Sequence, residues 1–153
     1  MKNKFKVVVF VFLTLCVIFT ITGCGKKTEY TGNIISFKYY YGSYNSGYYE
    51  YNINVEDDKV IFIAKGYNGV ALAVNKEIDS DYLKKLSDLI NDNKLYEWDG
   101  FDRSDKDILD GYGFTLEVNY NDNTSLKANG YMKYPKNYNE IHPILSEFLK
   151  TIK

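Results

Sequence analysis

From Asn33 onward, apolar and polar positions alternate with a period of two. Ile35, Phe37, Tyr39 and Tyr41 alternate with Ile34, Ser36, Lys38 and Tyr40, and the turn-forming run Gly42-Ser43-Tyr44-Asn45-Ser46-Gly47 follows. Tyr49, Tyr51, Ile53 and Val55 then alternate with Tyr48, Glu50, Asn52 and Asn54. The pattern predicts a hairpin with one face more apolar than the other. Strands are expected at 60–65 and 70–75, joined through Asn68-Gly69, a pair that favours a tight primed turn. Asp79 then reads as a helix N-cap with Ile78 and Leu83 as its hydrophobic staple. Leu83, Leu86, Leu89 and Ile90 recur at three and four, the stripe of an amphipathic helix. Strands at 113–120 and 124–130 follow an acidic loop at 100–111. A last helix carries Ile144, Leu145, Phe148, Leu149 and Ile152, and Pro143 suits only a first turn, which sets its expected start near His142.

The expectation is an α+β fold. A mostly antiparallel six-strand sheet, in the order ββββαββα, carries two amphipathic helices packed on one face, within a single domain at 33–153. Ala64-Lys65-Gly66-Tyr67 and Ala128-Asn129-Gly130-Tyr131 echo one another 64 residues apart, a weak sign that a hairpin and helix unit occurs twice.

The first residues follow a different pattern. Lys2, Lys4 and Lys6 precede an apolar run at 7–21 broken only by Thr14 and Thr20, and Ile21-Thr22-Gly23-Cys24 closes it. A basic start, a short apolar run and a small-residue site make a secretory signal. About fifteen apolar residues at ~1.5 Å each span roughly 22 Å, short of the ~30 Å that a membrane-spanning anchor needs. Ile21-Thr22-Gly23-Cys24 resembles the lipobox of bacterial lipoproteins processed by signal peptidase II. That resemblance implies cleavage before Cys24, lipid on its sulfur, and a cell-membrane anchor on the extracytoplasmic face. Residues 1–23 would be the signal, and 24–32 the lipidated cysteine with a short tether.

Removing residues 1–23 leaves 130 residues, with 16 basic groups against 20 acidic ones. That mild acidity argues against nucleic acid, whose phosphates call for a basic stripe. It also leaves membrane attachment to acyl chains, of which stable anchoring takes two. Cys16 leaves with the signal and Cys24 is lipidated, so the expected domain has neither disulfide nor free thiol. No cofactor is expected, because the chain has one histidine and one arginine, too few for a multi-histidine metal centre or an arginine clamp. A monomer is expected.

Three groups of residues could carry chemistry. Asp99, Asp102, Asp105, Asp107 and Asp110, with Glu97 before them, supply enough oxygens for calcium, but the spacing is not that of an EF-hand; solvated turns are the plainer reading. Tyrosines crowd the first hairpin, and Tyr39, Tyr41, Tyr44, Tyr48 and Tyr49 are the candidate binding residues, since exposed tyrosine offers rigid amphipathic contact area. The plainer reading is that tyrosine forms strands well and shields a sheet face. For catalysis, no G-x-S-x-G elbow is present, His142 abuts a proline, and nothing singles out one carboxylate pair from twenty acids.

The stretches Tyr96-Glu97-Trp98-Asp99-Gly100-Phe101 and Gly130-Tyr131-Met132-Lys133-Tyr134-Pro135 resemble those of uncharacterised small lipoproteins of low-GC Gram-positive bacteria. The resemblance implies membrane anchoring through Cys24 and no particular activity. The expected function is a non-catalytic binding module for an envelope protein or glycan. A lipid-anchored enzyme acting on cell-wall glycans, and an inhibitor or immunity lipoprotein, are the alternatives.

Overall fold

The computed structural model describes residues 29–152. The signal, Cys24 and the first part of the tether lie outside them. Seven strands form one sheet: β1 (Ile34–Ser43), β2 (Gly47–Glu56), β3 (Lys59–Tyr67), β4 (Ala73–Ile78), β5 (Phe101–Ser104), β6 (Gly113–Tyr120) and β7 (Ser125–Tyr131). Helix α1 (Asp81–Asp92) and a 3-10 turn (Leu95–Trp98) precede β5, and α2 (Tyr138–Thr151) closes the chain. Across the sheet the order is β4-β3-β2-β1-β6-β7-β5. All neighbours are antiparallel except β5 and β7, which run parallel.

From Phe37 onward the period of two does what it should, but a register shift at the start of β1 puts Ile34 in the core and leaves Ile35 43% exposed, the reverse of the expected alternation. Phe62, Ile53, Phe37, Val118 and Leu126 form one cross-strand row on the covered face, and Ala64, Tyr51, Tyr39, Leu116 and Ala128 form the next. All ten are buried, and the helices add Leu86, Ile90, Tyr138, Ile141, Leu145 and Leu149 to the same core. Trp98 closes one end, its indole N–H donating to the Lys136 carbonyl at 3.1 Å. Among the described residues no helix is long and apolar enough to cross a membrane.

Four further expectations need correction. The sheet has a seventh strand, β5, inside the stretch read as an acidic loop. Its four residues pair with a strand more than twenty positions away, which no local pattern announces. β4 begins at Ala73 rather than Val70. Asn68 and Gly69 do take positive φ (52° and 90°), as a primed turn demands, but a loop through Leu72 intervenes before pairing resumes. Helix α1 is regular only from Asp81, yet Asp79 still serves its start: its side-chain oxygen accepts the Asp81 N–H at 2.8 Å. Helix α2 starts at Tyr138, so Pro143 lies within it, on an exposed position where its missing donor and ring are tolerated.

The echo between Gly66-Tyr67 and Gly130-Tyr131 is local. Each pair is followed by a left-handed residue, Asn68 (φ 52°) and Met132 (φ 54°). However, the hairpins β2–β3 and β6–β7 fan out from β1 in opposite directions while burying the same face. That is a mirror relation, which no rotation of a duplicated unit produces.

A candidate binding groove on the open sheet face

Strand periodicity puts the other half of each strand on the face that no helix covers. At one end of that face a single cross-strand row reads Tyr67, Tyr48, Gly42, Gly113, Tyr131. The next row reads Lys65, Glu50, Tyr40, Thr115, Asn129, Asp102. The paired glycines leave a gap in the wall of rings. Together with Tyr40, Tyr48, Tyr131, Thr115, Asn129 and β5 they bound a groove of about 370 Å³. Glycine within a strand marks places where another molecule or backbone comes close.

The rings around the gap are held in place. Tyr40 and Tyr48 stack with centroids 5.2 Å apart and planes within 13°. The Tyr67 hydroxyl donates to Glu50 at 2.7 Å. The Tyr131 hydroxyl donates to the Leu109 carbonyl at 2.8 Å and accepts the Gly111 N–H at 2.6 Å. Thr115 donates its hydroxyl hydrogen to Asn129 at 2.7 Å. Glu50 also receives Asn52 at 3.2 Å and has Lys38 at 4.0 Å. The Tyr67 hydrogen bond, helped by Asn52 and the two lysines, holds its carboxyl below the usual range, so Glu50 is a settled anion at neutral pH.

The candidate tyrosines divide by parity. Tyr39 and Tyr41 belong to the core, 0% and 4% exposed, and are unavailable to a partner. The Tyr39 hydroxyl lies 2.6 Å from His142 Nδ1, and Tyr41 meets the same imidazole edge-on. Burial drives the Tyr39 pKa well above its ordinary value, so the phenol keeps its proton at neutral pH, and the tautomer of His142 sets which of the two groups donates. Burial, with Lys150 nearby, lowers the His142 pKa. Tyr49 is half-buried on the covered side, stacked on Tyr41. Tyr44 is 68% exposed at the hairpin turn, outside the row. Of the five, Tyr48 alone is in the groove.

Tyr40, Tyr67, Tyr131, Gly42, Gly113, Thr115 and Asn129 are not among the binding candidates that the sequence suggests, although Tyr67, Asn129 and Tyr131 stand in its 64-residue echo. The signal was there: Tyr39 and Tyr41 share parity with Phe37, and Tyr49 with Ile53, which marks that parity as the core side and Tyr40 and Tyr48 as the outward one.

The acidic stretch is dispersed. Asp102 lies on β5, Asp105 pairs with Lys133 at 3.0 Å, and Asp99 accepts the Lys127 N–H at 3.0 Å. Among the described residues no group of three or more potential ligands comes together for a metal. A second hollow, also about 370 Å³, lies on the covered face where the end of α2 passes over Phe62, Leu72 and Val74. It is mainly apolar, and the ion pair at its rim, Lys150 with Glu147 at 2.8 Å, is already matched.

The chain matches no protein-family profile, no curated protein and no solved structure.

Proposed function

We propose that this chain is a lipoprotein tethered through Cys24 to the outer face of the cell membrane, and that its domain is a binding module for an envelope component. The open sheet face is its binding surface. The observation that carries this is the row Tyr67, Tyr48, Gly42, Gly113, Tyr131, which sets fixed aromatic rings on both sides of a side-chain-free floor. Fixed rings give contact area at little entropic cost. Binding is favoured over glycan hydrolysis because one carboxylate, Asp102, lines the groove, whereas hydrolysis takes a facing pair.

The anchor and the surface are tested separately. The Cys24→Ala precursor should remain unprocessed and take up no labelled palmitate; normal labelling would end the lipoprotein reading. The full chain, held in detergent, should sediment with envelopes of low-GC Gram-positive cells stripped of membrane lipid, where the acyl anchor has nothing to enter, and Tyr48→Ala should reduce the bound fraction at least fivefold. Equal sedimentation of both proteins would remove the open face from the account.

A further inference from the structure

We infer that the open-face row takes an uncharged polysaccharide chain laid across the strands. Its sugar rings place their C–H faces on Tyr48 and Tyr131, with Tyr67 as an outer platform, while its hydroxyls reach Thr115, Asn129 and the bare backbone of Gly42 and Gly113. This rests on the reading of the open face as the binding surface and adds the chemical class of the ligand.

The shape of the aromatic surface is the first reason. The rings form a line across five adjacent strands, not a patch. From β2 to β7 the row spans three strand spacings, ~14 Å, with the edge of the Tyr131 ring leaning over Gly113. A protein partner calls for roughly 800 Å² on each side with an apolar centre. The rows beyond Tyr40 offer Ile63, Asn52, Lys38, Glu117 and Lys127, then Ile61, Asn54, Ser36, Asn119 and Ser125, polar across the middle strands.

The second reason is what the rings present. The hydroxyls of Tyr67 and Tyr131 are already engaged, to Glu50 and to the 109–111 loop, so their faces are what remains to offer. An aromatic face is electron-rich and suits the weakly positive C–H side of a sugar ring. Both hairpins use the same device to bring a tyrosine to this row, a Gly-Tyr pair followed by a left-handed residue.

Charge is the third reason. Lys38, Lys65 and Lys127 on this face are balanced by Glu50, Glu117 and Asp102. Arg103, at the groove's edge, lies over the Phe101 ring at 5.7 Å. A phosphate-bearing polymer calls for a cationic excess along its path, and none is built here.

The test titrates the full chain in detergent with three probes: a hexamer of N-acetylglucosamine, a hexamer of glucose, and polyglycerol phosphate. At least one neutral hexamer should bind with a dissociation constant below a few millimolar, little changed by salt. Tyr48→Ala should weaken it tenfold or more; Tyr131→Phe, which keeps the ring, should retain it. Ile144→Ala, on an exposed position of α2, should bind as the parent does. Failure of both neutral hexamers, binding of polyglycerol phosphate alone, or indifference to Tyr48→Ala would overturn the inference. If envelope sedimentation still depends on Tyr48 while neither sugar binds, the surface stands and the ligand class falls.

Discussion

Gly42 on β1 and Gly113 on β6 are directly opposite one another, a pair without side chains in the middle of an aromatic row. The two glycines are there for different reasons. Gly42 has φ 142°, and a Cβ would run into the Gly47 carbonyl, so the hairpin itself requires it. Gly113 has ordinary φ; its Cβ would meet the edge of Tyr131 at 3.2 Å and the Gly130 carbonyl at 3.3 Å.

The two substitutions should therefore separate. Gly42→Ala should cost about 2 kcal/mol or more, from strain and backbone collision together. Gly113→Ala should stay within about 1 kcal/mol of the parent, because tight contact is offset by a less flexible unfolded chain. Urea midpoints measure both, and equal losses would show that the gap is held open by folding needs alone.

His142 gives the fold a pH dependence. Its folded pKa is lowered by burial and by Lys150, while the unfolded chain takes up the proton near the ordinary ~6.5. The unfolded state thus binds more protons in this range, so stability is full above about pH 6.5 and falls as pH drops toward the folded value. The carboxyls of Glu50, Asp105 and Asp122 have ordinary values below pH 5 and are held lower still by their hydrogen bonds, so they stay ionised between pH 7 and pH 5. Urea unfolding at pH 7 and pH 5 should show a loss that His142→Gln at least halves. An unchanged slope would show that the imidazole titrates as freely folded as unfolded.

Core truncations should rank by burial. Leu86, 0% exposed, should lose about 2–5 kcal/mol on change to Ala. Phe148 is half-buried beside Tyr82, and Phe148→Ala should lose less. The reverse order, read by thermal or urea unfolding, would mean that α1 does not seat on the sheet as described.

Where the fold was legible, one element carried its own period. The hairpin of β1 and β2, the strands β6 and β7, and the Leu83–Leu86–Ile90 stripe of α1 each announce themselves within a dozen residues. β5 does not: Phe101 alone of its four residues is even half-buried, and its partner is remote in sequence. The insertion of β1 between β2 and β6 is likewise a long-range pairing, invisible to periodicity. The start of α2 was hidden by Pro143, although Tyr138, Ile141 and Leu145 already continue its apolar stripe backward. For the site, the tyrosine-rich hairpin is the right region, but the candidates mix both parities: Tyr39, Tyr41 and Tyr49 lie on the covered side and Tyr48 on the open one. The residue type does not separate them, but parity does: Tyr40 and Tyr48 are out of step with Phe37 and Ile53, the residues that the helices cover.

The central claim, that the open-face row is where this protein binds, is tested most directly by tyrosine-ring NMR. The full chain, carrying labelled tyrosine and held in detergent, would be titrated with solubilised cell-wall glycan. Ring signals of Tyr40, Tyr48, Tyr67 and Tyr131 should shift in a saturable way, while those of Tyr39, Tyr82 and Tyr96 stay in place. Shifts confined to Tyr51, which lines the apolar hollow under α2, or a row that does not respond, would contradict the account.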